Sequence, residues 1–205
     1  MHIDRQTFWF LDAVIEMGEN LAVLKSPRIE EILNRRTHGL GERELVEQIA
    51  SLCQSGLIEV KNDDGVRVCS LDDVDRAFAE SRCEPRHYSG FWYSLTPAGG
   101  AAWESVTHPD WSCYLSHWTR REEVCIEAAT RERAVEEFNR ASTDPAHVPV
   151  PGSYRETLLE PWEATYWKTL PSGVRIQYAW TKGGSNVAWQ LRQPQAKPWY
   201  NVPRL

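Results

Sequence analysis

The chain has 205 residues with 41% hydrophobic residues and a net charge of −6, enough for one large domain or two small ones with a hydrophobic core. It contains no run of about 20 apolar residues and no basic, apolar leader at its start, so we expect neither a membrane span nor a secretory signal. Its five cysteines include no CxxC pair, which is typical of reduced thiols and favours a cytoplasmic protein.

Helical signals dominate the first 55 residues. Asp4 and Ser26 are good N-cap residues, and Pro27 suits the first helical position. Gly56 is a typical helix C-terminal residue, because glycine adopts the left-handed conformation at little cost. The predicted helices are Arg5 to Met17, a second one opened by Ser26-Pro27, and an amphipathic one from Glu42 to Ser55.

Two short strands follow with an insertion between them. Leu57 to Val60 and Phe91 to Leu95 have the composition of strands, and Thr96-Pro97 opens another helix. The intervening residues predict three further segments: a strand at Val66 to Cys69, a helix with Ser70 and Asp73 as a capping box, and a polar loop from Ser81 to Gly90.

This order of helices and strands resembles a winged-helix domain. The resemblance rests on the Glu42 helix, the segment SGLIEV and the segment YSLTPAGGAAWE. It implies a helix-turn-helix whose Glu42 helix would be the recognition helix, with a helical insertion in the wing. Winged helices occur in bacterial DNA-binding regulators and also in structural and protein-binding modules, so the resemblance predicts an architecture rather than an activity.

Charge opposes DNA binding in this half. Residues 1–108 hold 11 Lys and Arg against 18 Asp and Glu, a net of −7, whereas the remaining residues have a net of +1. Affinity for DNA depends largely on neutralising phosphates. If DNA is bound nevertheless, the residues expected to contact it are Arg28, Arg35, Arg36 and Arg43.

A composition change near His108-Pro109-Asp110 predicts a domain boundary, with domains at 1–107 and 108–205. Beyond it, the elements read β-β-α-β-β-β, which predicts a small antiparallel sheet with one helix and an overall α+β class. The predicted segments are strands at Trp111 to Trp118 and Val124 to Ile126, a helix from Thr130 to Arg140, a loop from Ser142 to Gly152, an interrupted strand from Tyr154 to Leu170, strands at Val174 to Trp180 and Asn186 to Arg192, and an extended tail.

Tryptophan is unusually frequent, with ten residues, seven of them after residue 108. Large aromatic side chains either fill a thin core or form recognition surfaces, and both explanations remain open here. The residues expected to contact a partner or a second copy are Trp199, Tyr200, Trp189 and Trp167, with the first two in a tail containing three prolines.

No motif points to a metal, a cofactor or catalysis. Cys113 and His117 would lie about 13 Å apart on a regular strand, too far for one ion. Cys83 and His87 are also spaced more widely than a typical zinc pair. No GxSxG, P-loop, GxGxxG or HExxH pattern is present, so the sequence predicts a protein that is not an enzyme and has no cofactor.

Two functional hypotheses follow. The first is a non-enzymatic protein-binding or regulatory module, adaptor- or immunity-like, with a protein partner or self-association. The alternative is a winged-helix transcription regulator whose C-terminal domain senses a ligand or dimerises.

Overall fold

The computed structural model describes residues 3–84, 87–184 and 198–203. Helices and small antiparallel sheets are combined throughout, which confirms the α+β class. The chain divides into two compact units: among the described residues, unit 1 comprises 3–84, 87–107, Thr165–Trp167 and Pro203, and unit 2 comprises 108–164, 168–184 and 198–202.

Unit 1 is built from helices around one sheet. Its helices are α1 (Arg5–Ala13), α2 (Leu21–Leu24), α3 (Ile29–Leu33), α4 (Glu42–Gln54), α5 (Leu71–Glu80) and α6 (Pro97–Thr107). Its strands are β1 (Glu19–Asn20), β2 (Ile58–Asn62), β3 (Arg67–Val68), β4 (Arg82–Glu84), β5 (His87–Ser89) and β6 (Phe91–Leu95). The main sheet has the order β1-β6-β2-β3, and β4 pairs with β5 in a separate hairpin.

The two strands on either side of the insertion pair with each other, as expected. β2 and β6 are antiparallel, with Ile58 opposite Leu95 and Asn62 opposite Phe91. The inserted helix α5 also occurs where its capping box predicts it, with the Ser70 hydroxyl accepting from the backbone N–H of Asp73 at 3.2 Å. Local signals therefore placed these elements correctly.

Other details of unit 1 differ from the prediction. Helix α1 ends at Ala13 instead of Met17, and the carbonyl groups of Val14 and Ile15, beyond its end, accept hydrogen bonds from side chains elsewhere in the unit. The short elements β1 and α2 were not predicted, and α3 begins at Ile29, later than the Ser26-Pro27 signal. The segment predicted as a polar loop, 81–90, contains the hairpin of β4 and β5.

Unit 2 is an antiparallel sheet with one helix on one face. Its elements are β7 (Leu115–Arg120), β8 (Glu123–Ala128), α7 (Arg131–Ala141), β9 (His147–Pro149), β10 (Arg155–Leu159), β11 (Trp162–Glu163), β12 (Thr169–Leu170) and β13 (Gly173–Lys182). The sheet order is β10-β13-β8-β7, with β9 pairing further along β13, and β11 and β12 form a small ribbon.

The alternation predicted along β13 creates the core beneath α7. Ile176 and Tyr178 are 0% and 3% exposed and pack with Val124, Ile126 and Ala134. Thr130 caps α7 as predicted, since its hydroxyl accepts from the N–H of Arg133 at 3.2 Å. This face positions the side chains of α7 that are described below.

Three predictions in unit 2 need correction. Trp111–Cys113 is a 3-10 turn capped by Asp110, so the first strand begins only at Leu115. The predicted loop after α7 contains β9. The strand predicted from Tyr154 to Leu170 is interrupted near Pro161, as expected, but Thr165–Trp167 within it belongs to unit 1. The predicted last strand, Asn186 to Arg192, lies outside the described residues.

Candidate functional site

Two of the arginines considered for DNA contact are engaged by neighbouring carboxylates. Arg28 Nε donates to Glu31 Oε2 at 2.7 Å, and Arg43 Nε donates to Glu47 Oε1 at 2.9 Å. All four side chains lie at the surface, where such pairs contribute little stability. Each pair nevertheless places a negative charge beside the guanidinium, which weakens its attraction for phosphate.

Arg35 has a structural position inside unit 1. Its Nη2 lies 3.0 Å from Asp12 Oδ2 and also donates to the carbonyl oxygen of Asp12 at 3.1 Å. Arg36 is exposed, and its carbonyl oxygen accepts from the indole N–H of Trp9 at 2.7 Å. Arg35 therefore binds Asp12 of α1 and does not form an exposed basic surface with Arg36.

Helices α4 and α5 pack against each other and leave a groove of about 390 Å³ on the surface of unit 1. Val46, 5% exposed, forms part of its floor, whereas Leu71 is 44% exposed. The lining residues are Glu42, Arg43, Val46, Glu47, Leu71, Asp72 and Asp75. Leu71 is thus an exposed apolar side chain beside the buried Val46 in a groove that is otherwise lined by charged residues.

The groove, which we call the acidic groove, has a strongly one-sided charge. Four carboxylates line it, against the single guanidinium of Arg43, which is held by Glu47. A further cation, Lys25, donates from its ammonium group to Glu42. This arrangement repels nucleic acid and favours a positively charged ligand.

In unit 2, Trp199 packs with two aromatic residues of its own unit. Its ring centre lies 4.9 Å from that of Trp111 and 4.7 Å from that of Tyr114, and its carbonyl oxygen accepts from Asp110 N–H at 2.8 Å. Tyr200 lies against Trp199 at 5.0 Å. The tail after residue 197 is thus docked by aromatic packing, which accounts for the half-buried state of Trp199.

Trp167, the third aromatic candidate, belongs to unit 1. Its indole N–H donates to the carbonyl oxygen of Ile15 at 2.8 Å, and its ring lies 6.2 Å from that of Trp103. The ring also fills the space above Gly100, where a Cβ atom would lie 2.0 Å from it. The fourth aromatic candidate, Trp189, lies outside the described residues.

A group of ionisable residues that the sequence did not reveal occurs beside α7 in unit 2. Nδ1 of His117 on β7 donates to Glu137 Oε1 at 2.7 Å, and Arg140 Nε donates to Glu137 Oε2 at 2.7 Å. Burial by itself would raise the pKa of Glu137, but the bonds from Arg140 and His117 outweigh it and lower the pKa to about 2. Glu137 is therefore a buried, ionised carboxylate at neutral pH.

A second histidine–carboxylate pair lies next to the first. Nδ1 of His147 donates to Asp144 Oδ2 at 2.8 Å, and the imidazole ring packs edge-on against Trp180. Burial opposes ionisation of Asp144, yet the bonds from His147 and from the backbone N–H of Ala146 lower its pKa. His117, Arg140, Asp144 and His147 all line one cavity of about 240 Å³, together with Thr119, Val124, Ala141 and Tyr178. We call it the two-histidine cavity.

Sequence reasoning missed this cavity because its first pair joins residues 20 positions apart on different elements. The sequence motif pairs His117 only with Cys113, as possible ligands of one metal ion, and Cys113 lies in the 3-10 turn before β7. The spacing of Glu137 with Arg140 and of Asp144 with His147, both i and i+3, was the one local signal available. Among the described residues, no three His, Cys, Asp or Glu side chains are grouped so that they could hold a metal ion.

Comparison with known protein families, curated sequences and solved structures gives no match for this chain. Within residues 3–84, 87–184 and 198–203, no helix is long and apolar enough to cross a membrane. Functional inference therefore depends on the surfaces and side chains described above.

Proposed function

We propose that the protein is a non-enzymatic binding module, adaptor- or immunity-like, that holds a basic amphipathic segment of a partner protein in the acidic groove of unit 1. The observation that carries this proposal is that four carboxylates line one groove together with the apolar residues Val46 and Leu71. A helix with lysine or arginine on its flanks and aliphatic residues on one face would complement both features.

The apolar residues and the carboxylates of the acidic groove contribute differently to binding of the partner segment. Covering Leu71 and the apolar floor supplies affinity, because apolar area is removed from water. The carboxylates of Glu42, Glu47, Asp72 and Asp75 mainly accelerate encounter and select basic over acidic partners. A partner bound in this way should dissociate more readily as salt is raised, since exposed charges are screened.

The same surface argues against the regulator alternative. The strand order β1-β6-β2 supports a winged-helix arrangement for unit 1, in which α4 would be the helix that reads DNA. Here α5 packs against α4, and the groove between them is acidic. A duplex would meet the carboxylates of Glu42 and Glu47 and the paired guanidinium of Arg43.

The proposal is tested with the full chain and a labelled helical peptide of about 14 residues composed of leucine and lysine, with leucine–glutamate as the comparison peptide. Fluorescence anisotropy should detect the lysine peptide only. The double substitution Asp72→Asn, Asp75→Asn should weaken its binding roughly tenfold at low salt. The matched control is Asp63→Asn, Asp64→Asn in the exposed turn before β3, which removes the same charge elsewhere in the unit.

Thermal melting of both double variants checks that folding is retained. Equal binding of the two peptides, or an equal loss in both double variants, would contradict the proposal. The second result would mean that net charge, not the groove, holds the peptide.

A further inference from the structure

The two-histidine cavity in unit 2 has no part in the function proposed for unit 1. It combines side chains from three elements: His117 from β7, Arg140 from α7 and His147 from β9. Convergence of separate elements on one small space, with each imidazole oriented by a carboxylate, is more specific than isolated surface histidines. Oriented ionisable groups in a cavity mark a functional site in the absence of a motif.

Hydrogen bonding fixes the state of both imidazoles. An ionised carboxylate can only accept, so Nδ1 of His117 must carry the proton that Glu137 receives, and Nδ1 of His147 must do the same for Asp144. Nε2 is then the nitrogen of each ring at which a further proton can bind. Protonation converts Nε2 from an acceptor into a charged donor.

The net charge of the groups around the cavity changes sign when His117 and His147 are both protonated. At high pH, Arg140 is opposed by Glu137 and Asp144, a net of −1 from these lining and adjoining groups. When both histidines are protonated, the net becomes +1. Tyr178 stays neutral throughout, because burial raises its pKa to about 12.

We propose that the two-histidine cavity binds a tetrahedral oxyanion, either free phosphate or the terminal phosphate of a small ester. Protonated Nε2 atoms of His117 and His147 would donate to its oxygens. Arg140 lines the same cavity, but its guanidinium is paired with Glu137, so the two imidazoles would supply most of the attraction. The hydroxyl of Thr119 lines the same space. A volume of about 240 Å³ suits a phosphate group with a small substituent and is below the range of pockets that hold drug-sized ligands.

Sulfate is the first probe, because its charge does not change between pH 5 and pH 8, so any pH dependence belongs to the protein. Calorimetric titration of the full chain should give binding roughly tenfold tighter at about pH 5.5 than at about pH 8, because a protonated imidazole donates from both of its nitrogens. His117→Gln and His147→Gln should each weaken sulfate binding at the lower pH, and each retains a donor for its carboxylate.

The matched control is His108→Asn, which removes an exposed histidine outside the cavity and places there a residue that tolerates the positive φ of 47°. Imidazole NMR signals of the unsubstituted protein provide a measurement that needs no variant. Saturable shifts of the His117 and His147 signals with sulfate would support the proposal. Binding that is independent of pH, equal in all variants, or seen only at His108 would overturn it.

Inorganic phosphate and methyl phosphate, compared at one pH, distinguish the two sources of the oxyanion. Tighter binding of methyl phosphate points to the terminal phosphate of a small ester, and tighter binding of inorganic phosphate points to the free anion. Absence of binding by sulfate and both phosphates would overturn the proposal, whatever the outcome of the peptide experiment on unit 1.

Discussion

Asp12 joins distant parts of unit 1 through its two carboxylate oxygens. Oδ1 accepts from the indole N–H of Trp103 at 2.9 Å, and Oδ2 lies 3.0 Å from Arg35 Nη2. Trp103 is fully buried and Asp12 is 8% exposed. The carboxylate therefore satisfies a buried donor and compensates a half-buried cation at the same time.

Replacing the carboxylate of Asp12 should lower the stability of the protein. We expect Asp12→Ala to lower the free energy of unfolding by about 3 kcal/mol, because Trp103 loses its acceptor and Arg35 loses its counter-charge. Denaturant unfolding measures the change. Asp64→Ala, in an exposed turn, is the control and should stay within about 0.5 kcal/mol of the original protein. A loss below about 1 kcal/mol in Asp12→Ala would contradict the structural role.

Glu137 should make unit 2 sensitive to acid. Its pKa is lowered from 4.5 to about 2 on folding, so the stability it contributes is present above pH 4.5 and is lost as pH falls from 4.5 towards 2. Glu137→Gln should be less stable at pH 7 and should show a shallower decline across that window. Chemical unfolding at several pH values measures both effects.

Glu136→Gln is the matched control for this experiment, because Glu136 lies on the same helix and pairs with Arg133 at the surface. We expect this variant to keep the original pH dependence. If Glu137→Gln declines as steeply as the original protein between pH 4.5 and 2, the bonds from Arg140 and His117 do not stabilise the charged carboxylate.

At the scale of elements, the approach of α6 to Leu57, the residue before β2, depends on one glycine. A Cβ atom at Gly99 would lie 1.9 Å from the carbonyl oxygen of Leu57, a backbone atom that cannot move away independently. The first turn of α6 is also fixed by Thr96, whose hydroxyl accepts from Gly99 N–H at 3.0 Å. The segment TPAGG therefore encodes both the start of α6 and its close contact with the backbone of Leu57.

Gly99→Ala tests this packing. Alanine is the better helix former by about 1 kcal/mol, but we expect a net loss of about 2 kcal/mol because the methyl group forces α6 away from the backbone of Leu57. Thermal and denaturant unfolding measure it. Gly184→Ala is the control, since nothing lies within 4 Å of the added Cβ there. An unchanged melting temperature in Gly99→Ala would show that α6 can shift without cost.

At the scale of the whole molecule, the charge is unevenly distributed along the chain. Residues 1–108 have a net charge of −7 and the rest have +1. In unit 1, the arginines that would contact DNA are largely engaged by carboxylates, and α4 borders the acidic groove. Counterion release, which drives most non-specific DNA binding, would therefore be small.

We accordingly expect duplex DNA to bind only weakly at physiological salt, with a dissociation constant above about 10 μM. Fluorescence anisotropy with a labelled duplex of arbitrary sequence measures this. Submicromolar affinity that falls steeply with salt would contradict the expectation and would favour the transcription-regulator alternative.

The sequence by itself determined the elements that have local end signals or regular periodicity. Ser70, Thr96 and Thr130 cap the helices that they predicted, and the alternation along β13 predicted the face that lies beneath α7. These features depend on residues a few positions apart, so they can be read directly from the chain. The α+β class follows from them.

Tertiary structure alone decided the contacts that join distant residues. Arg35 was expected among the residues that contact DNA, but it pairs with Asp12. Thr165–Trp167 belongs to unit 1 although the flanking residues belong to unit 2. His117 meets Glu137 because strand pairing and helix packing bring them together. Such partners depend on how elements pack, and no local pattern of residue types records that packing.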